Sequence, residues 1–324
     1  MRVIALLTAS LLAAVAPALL GPSARVATAA TAAAPAAPDQ VAIDVDGTPL
    51  VAMTTSPITL SPAFSPTIDD YALRCSTGVN NVSLTLTGSG TITVGSQSAR
   101  VVALTVPLGE NQAIVVTAPA PGGGSTAYWI RCLPHDFPQM KVDRPGNPTP
   151  GWYLTGTIAL AADGSSGFYA MVLDANGTPV WYQKTPAGTI DTTALDPHTI
   201  AWAPGLGPGI GADPNGAFTV YDTSTQTSRS LPAPSPPTDP HELLQLPNGD
   251  HVMISSPLKT GVDLTPLGQS FAPANDTIVD CVVQQFNDAG TVWSWRASDH
   301  IAVAEGMNAS LLNVNGTTAA DIYH

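Results

Sequence analysis

Phe168-Tyr169-Ala170-Met171-Val172-Leu173 runs into Asp174-Ala175-Asn176-Gly177 and out through Val180-Trp181-Tyr182. Far downstream, Val282-Val283-Gln284-Gln285-Phe286 runs into Asn287-Asp288-Ala289-Gly290 and out through Val292-Trp293-Ser294-Trp295. Each is an apolar run, a tight Gly-containing turn and a return run carrying Trp, which predicts a β-hairpin. Between them lie Phe218-Thr219-Val220-Tyr221-Asp222 and Leu243-Leu244-Gln245-Leu246-Pro247-Asn248-Gly249-Asp250-His251-Val252-Met253-Ile254, where Asn248-Gly249 predicts a two-residue hairpin turn. Hairpins repeating over this length predict an array of small antiparallel sheets. The triplet Asp-Pro-His points the same way. It occurs at Asp196-Pro197-His198 and Asp239-Pro240-His241, spaced close to the ~40–45 residues of one four-stranded propeller blade. His324, in Asp321-Ile322-Tyr323-His324, follows after nearly two such steps. Residues in one phase of successive blades face one place, so His198, His241 and His324 are candidates for a ring of imidazoles in a central channel.

Upstream, residues 41–135 are rich in Val, Thr and Ser with strict alternation, as in Val82-Ser83-Leu84-Thr85-Leu86-Thr87 and Thr91-Ile92-Thr93-Val94. Turn clusters such as Gly78-Val79-Asn80-Asn81 and Gly122-Gly123-Gly124-Ser125 separate these runs, which predicts a small β-sandwich. Residues 136–150, with Pro145-Gly146-Asn147-Pro148-Thr149-Pro150, read as a linker. The fold class is therefore all-β: a sandwich, then about three blades of a β-propeller over residues 151–324. Propellers close with ~4–8 blades, so the array reads as incomplete.

The composition fits. Only 11% of the 324 residues are charged, and Gly and Pro number 28 and 31. The net charge of −13 argues against nucleic acid and anionic membrane surfaces as partners. Met1-Arg2, the uncharged apolar run Val3 to Leu20 and the small-residue site Ala27-Thr28-Ala29 read as a secretory signal peptide over residues 1–29. An Ala/Pro-rich spacer follows over residues 30–40. No later segment could span a bilayer, so the expectation is a secreted protein in an oxidising compartment. Cys75 and Cys132 share an aromatic-x-x-Arg-Cys setting, in Tyr71-Ala72-Leu73-Arg74-Cys75 and Tyr128-Trp129-Ile130-Arg131-Cys132, and are expected to form a disulfide. Cys281 is left over.

Two resemblances add to this. Ser61-Pro62-Ala63-Phe64-Ser65-Pro66 with Tyr71 resembles the opening of cadherin-like bacterial β-sandwich modules. His241-Glu242-Leu243-Leu244-Gln245-Leu246-Pro247-Asn248-Gly249-Asp250 is similar to the His-(Asp/Glu)-x-x-x-Leu-Pro-Asn-Gly strand of secreted bacterial arylsulfotransferases. The segment from Asp280 to Trp295 with Ser298-Asp299-His300-Ile301, and the final Asp321-Ile322-Tyr323-His324, resemble two further motifs of that family. The resemblance covers roughly residues 145–324. It implies a six-bladed propeller with a histidine-rich funnel. It further implies transfer of a sulfuryl group from a phenolic sulfate ester to a phenol, through a sulfo-histidine, with no nucleotide donor and no cofactor. In the family the nucleophilic His and a site Arg come from later blades. Only His241 and His324 carry over, as residues that hold and polarise the sulfuryl group or its bridging oxygen.

The other histidines read as structural: His135 and His251 as surface or packing residues, His300 as a blade lock. Trp181, Trp293 and Trp295 are expected to pack between blades. Metal binding has no Glu-x-x-His or Cys-x-x-Cys element behind it. Ser-His-Asp catalysis lacks a Gly-x-Ser-x-Gly elbow. The competing function class is a secreted, non-catalytic propeller that binds a phenolic or carbohydrate ligand, with the sandwich as a surface-attachment module.

Overall fold

The computed structural model describes residues 40–143, 146, 149–158, 164–205, 216–268, 273, 275–306, 310–314 and 316–323. Residues 1–39, which hold the stretch read as a signal peptide and nearly all of the expected spacer, and His324 lie outside the described residues. Within them the chain is all-β, with three single-turn 3-10 helices. No helix among the described residues is long and apolar enough to cross a membrane.

The first eight strands are β1 Gln40–Asp44, β2 Asp46–Gly47, β3 Leu50–Ser56, β4 Asp70–Arg74, β5 Asn80–Val94, β6 Gln97–Leu108, β7 Ala113–Pro119 and β8 Ser125–Leu133. They form two sheets. One has the order β1-β7-β8-β4, and in the other β5 pairs with β2 and β3 on one side and β6 on the other. The alternation read from the sequence sets the faces: Val82, Leu84 and Leu86 are buried while Ser83 is exposed. One apolar core unites both sheets, joining Leu50, Met53, Leu84 and Leu86 to Tyr71, Ile114, Tyr128 and Ile130. Cys75 and Cys132 are disulfide-bonded across a separation of 57 residues. Buried Tyr71 explains the Ser61–Pro66 motif. Its hydroxyl donates toward the carbonyls of Ser65 and Ile68, at 2.8 Å each, and accepts from Ser65 N at 3.2 Å, clamping the loop ahead of β4. Burial pushes its phenol up to about 12.

The segment after β8 is packed rather than loose. Arg74 donates to the carbonyls of Phe137 at 3.0 Å and Pro138 at 2.9 Å. Phe137 enters an aromatic cluster with Tyr169 and Tyr182, at centroid distances of 4.9 and 5.2 Å. Asp136 accepts from the Tyr169 hydroxyl at 2.6 Å and pairs with Lys184. The sandwich is thus joined to the next sheet by a core of its own, with Ala72 and Leu133 on one side and Tyr169 and Met171 on the other.

That sheet comprises β9 Tyr153–Gly156, β10 Phe168–Leu173 and β11 Pro179–Thr185, in the order β11-β10-β9. A four-stranded antiparallel meander follows: β12 Thr189–Asp196, β13 Thr199–Pro204, β14 Phe218–Asp222 and β15 Thr227–Leu231. The next strands are β16 Thr238–Gln245, β17 His251–Ser255, β18 Leu258–Val262, β19 Asp276–Val279, β20 Val282–Asn287 and β21 Gly290–Arg296. Of these, β16-β17-β20-β21 form a third sheet. The pair β18–β19 leaves that sheet and joins β22 Ser310–Val314 and β23 Thr317–Asp321 in the order β18-β19-β23-β22, with β19 parallel to β23. The first strands of the three consecutive sheets lie side by side, β12 touching β9 on one flank and β16 on the other.

Three details depart from the sequence expectations. The hairpin between β16 and β17 has three loop residues, Pro247-Asn248-Gly249, because Gln245 pairs with His251 and Leu246 N donates to the Asp250 carbonyl. Pro247 presets the turn closed by Gly249 N to the Leu246 carbonyl, and Gly249 takes the left-handed φ of 88°. The mixed sheet built from β18, β19, β22 and β23 is not among the hairpins that the sequence marks. Finally, Trp181 packs between sheets against Trp202 and Tyr221, but Trp293 is 51% exposed because β21 is an outermost strand, and Trp295 stacks on His300.

The disulfide closes a 57-residue loop, so replacing both cysteines with Ala is expected to lower stability by about 4 kcal/mol, less any residual order in the unfolded chain. Urea denaturation of the whole chain, oxidised against double variant, measures this.

Candidate functional site

The site is built around one buried carboxylate. Asp239 is 3% exposed, at the second position of β16. Pro240 follows it and has no N–H to give to the ladder, and the pairing with β17 jumps from Thr238 to Leu243. His241 lies in this bulge. Asp239 Oδ1 accepts from His241 N at 3.0 Å and lies 2.6 Å from His241 Nδ1. Oδ2 accepts from Ser256 Oγ at 2.7 Å, just past the end of β17. A carboxylate at Nδ1 favours the tautomer with its proton there and fixes the direction of the imidazole. The imidazole is 40% exposed and its partner carboxylate 4%, so the charge that orients the ring is screened from water while the ring is not.

The neighbouring first strand bends at the matching place. β12 carries a register break between Ile190 and Thr193, and Asp191 has a φ of 44°. A non-Gly residue held left-handed is strained, and such residues gather at functional sites. The Asp191 Oδ2 accepts from Leu243 N at 3.2 Å, which ties the two bulges together across adjacent sheets.

A second buried carboxylate lies after β19. Asp280, 1% exposed, accepts from Arg296 at 2.9 Å, Ser298 Oγ at 2.6 Å, Ser298 N at 3.2 Å and Cys281 N at 3.0 Å. Lys259 donates to Ser298 Oγ at 2.7 Å. The Cys281 thiol feels the charge of both carboxylates. Burial pushes it up first, and the charges of Asp239, Asp280 and Asp321 add to the shift. Arg296 and Lys259 therefore gather on the Asp280–Ser298 side, Arg296 on the carboxylate and Lys259 on the serine hydroxyl. Among the described residues no group of three or more His, Cys, Asp or Glu could hold a metal ion.

His198 does not share the phase of His241. It lies in the two-residue turn between β12 and β13, exposed, with its N–H on Asp196 Oδ1 at 2.7 Å, whereas His241 stands in the first half of β16. The repeated triplet is a local unit in which Asp caps the amide two residues on, across a Pro. It ends a strand in one place and bulges a strand in the other, so its spacing does not report a blade phase. His324 lies outside the described residues, although β23 leads to it. His135 pairs with Glu110, His300 stacks on Trp295 at 5.3 Å and His251 packs on Phe286 at 5.7 Å. Sequence reasoning missed Asp191, Asp239 as the orienting group, Ser256, Asp280 and Arg296. The Asp-Pro pair marked Asp239, but nothing local ties it to Ser256.

No known protein family, curated protein or solved structure matches this chain.

Removing the Ser256 hydroxyl leaves a buried carboxylate oxygen short of a donor. Ser256→Ala is expected to cost about 1–3 kcal/mol in urea denaturation, while Ser256→Thr retains most of the stability. For Cys281 the sign is set by a raised folded-state pKa. Its contribution is whole below the unfolded thiol value of about 8.5 and is lost as pH rises through the folded value. Iodoacetamide should therefore modify native Cys281 more slowly than the urea-unfolded thiol at pH 8.5.

Proposed function

We propose that this chain carries the proton-handling part of a sulfuryl-transfer site, with a phenolic sulfate ester as donor and a phenol as acceptor. The observation that carries the reading is the 2.6 Å contact from His241 Nδ1 to the buried Asp239 carboxylate, itself anchored by Ser256. An imidazole so held keeps one tautomer and one direction, and the carboxylate favours the imidazolium when it forms. The motif likeness at residues 241–250, 280–301 and 321–324 supplies the reaction class.

In the first half-reaction the S–O bond of the ester breaks and the sulfuryl group passes to a nucleophilic imidazole, which is not assigned to any described residue. His241 Nε2–H gives its proton to the departing phenolate oxygen. In the second half the incoming phenol oxygen bonds to sulfur, the S–N bond breaks, and neutral His241 takes the phenol proton. The proton count closes over the cycle. The three inner strands β9, β12 and β16, side by side, are read as the lining of a propeller channel into which His241 points.

The test is turnover of p-nitrophenyl sulfate with phenol as acceptor by the full-length gene product. His241→Ala and Asp239→Asn are each expected to lower kcat roughly 10²–10⁴-fold with a smaller effect on KM. Undiminished turnover in either variant overturns the role given to the pair. A folded but inactive protein that still binds the aryl sulfate would move the reading to a non-catalytic binder.

A further inference from the structure

Among the described residues, those that are not glycine and take a left-handed φ are Asn111 and Gln226, in turns between strands, and Asp191, inside β12. A turn asks for that conformation; a strand does not. Asp191 holds it at 44°, where the pairing of β12 with β13 skips from Ile190 to Thr193. The next residue adds a second cost, since Thr192 Oγ1 is buried and has no hydrogen-bond partner among the described residues. Two unfavourable features side by side persist only where the surroundings hold them, and such places gather where a side chain has to be aimed.

The surroundings here are two neighbouring sheets. Just before the kink, buried Thr189 is fixed to the preceding sheet. Its N–H donates to the Thr157 carbonyl at 2.8 Å and its hydroxyl to the Tyr169 carbonyl at 3.1 Å. From this anchor the chain turns the Asp191 carboxylate toward the sheet beyond, where Oδ2 accepts from Leu243 N at 3.2 Å. β16 is the first strand of its sheet, so an amide that it does not give to β17 has no ladder partner. The bulge in β16 is also long. Between the pairs Thr238–Ser255 and Leu243–Met253, the residues Asp239, Pro240, His241 and Glu242 stand against Ile254 alone. Ser256 holds one end of that segment through Asp239, and Asp191 holds the other through Leu243.

We propose that Asp191 is a positioning residue for His241. From a strained place in the neighbouring sheet, its carboxylate fixes the far end of the β16 bulge and so keeps the imidazole on Asp239. The ring meets that carboxylate only while the backbone from 239 to 243 keeps one shape. With the Leu243 amide released, the segment after Pro240 is free to straighten and swing the ring away. The assignment deepens the reading of His241 as the proton-handling group and takes its functional meaning from that reading. Its test reads the ring itself and does not depend on sulfuryl transfer.

Long-range proton–nitrogen NMR of the isotope-labelled whole chain shows which ring nitrogen of each histidine carries the proton, and His241→Gln assigns the signal. With the ring neutral, His241 of the unaltered protein is expected to carry its proton on Nδ1. Asp191→Gly relieves the φ strain and removes the acceptor. It should melt close to the unaltered protein by circular dichroism, while the Nδ1–H fraction of His241 falls about twofold or more. Asp191→Asn keeps an acceptor oxygen and tolerates the left-handed backbone, so it should retain that fraction. An unchanged fraction in the Gly variant overturns the positioning role. So does a loss shared by the Asn variant, or one seen only together with a large fall in melting temperature. A ring with its proton on Nε2 in the unaltered protein overturns the Asp239 contact as well, and with it the reading of His241. Absent p-nitrophenyl sulfate turnover, with the ring signature and its response to Asp191 as expected, overturns the reaction alone and leaves the positioning role standing.

Discussion

The second half of the chain is organised by a carboxylate that has left water. Asp239 is 4% exposed at its side chain, and a charge so placed is tolerated only when donors surround it. Its three donors come from its own backbone two residues on, from the His241 ring and from Ser256 beyond β17. The strand cannot satisfy this carboxylate and stay regular, since Pro240 breaks the ladder beside it. The bulge is therefore the geometry that the Asp-Pro pair imposes, and the orientation of His241 follows from it.

The same logic explains why an Asp-Pro-His spacing misleads. In both copies the Asp side chain accepts from the amide across the proline. That bond is local and stable wherever it forms, at a strand end for His198 or inside a strand for His241. A periodic recurrence of a local capping unit carries no information about which strand position it fills. Side-by-side packing of β12 and β16 decides that, and it is written in long-range contacts that no window of sequence displays.

Other parts were legible because they are local. The alternation at residues 82–87 sets the faces of β5, and the matched settings of Cys75 and Cys132 foretell their bond. The turns at Asn176-Gly177 and Asn287–Gly290 mark hairpins, although Pro247 lengthens the one at Asn248-Gly249. Illegible were the partners supplied from afar: β19 finding β23 in parallel, Asp191 reaching Leu243, Ser256 reaching Asp239, and Asp280 collecting Arg296 and Ser298. Each depends on one strand or turn being placed beside another by packing, and the residues involved are ordinary Asp and Ser in sequence.

The joint between the sandwich and β9–β11 sets how the molecule transmits orientation. Arg74 grips the carbonyls of Phe137 and Pro138, the Phe137 ring enters a cluster with Tyr169 and Tyr182, and Asp136 ties to Tyr169 and Lys184. A connection secured at three points by rings, amide oxygens and a carboxylate resists bending and twisting alike. The sandwich then acts as a stiff handle. Whatever surface takes hold of it also dictates the direction in which the sheet bearing His241 is presented.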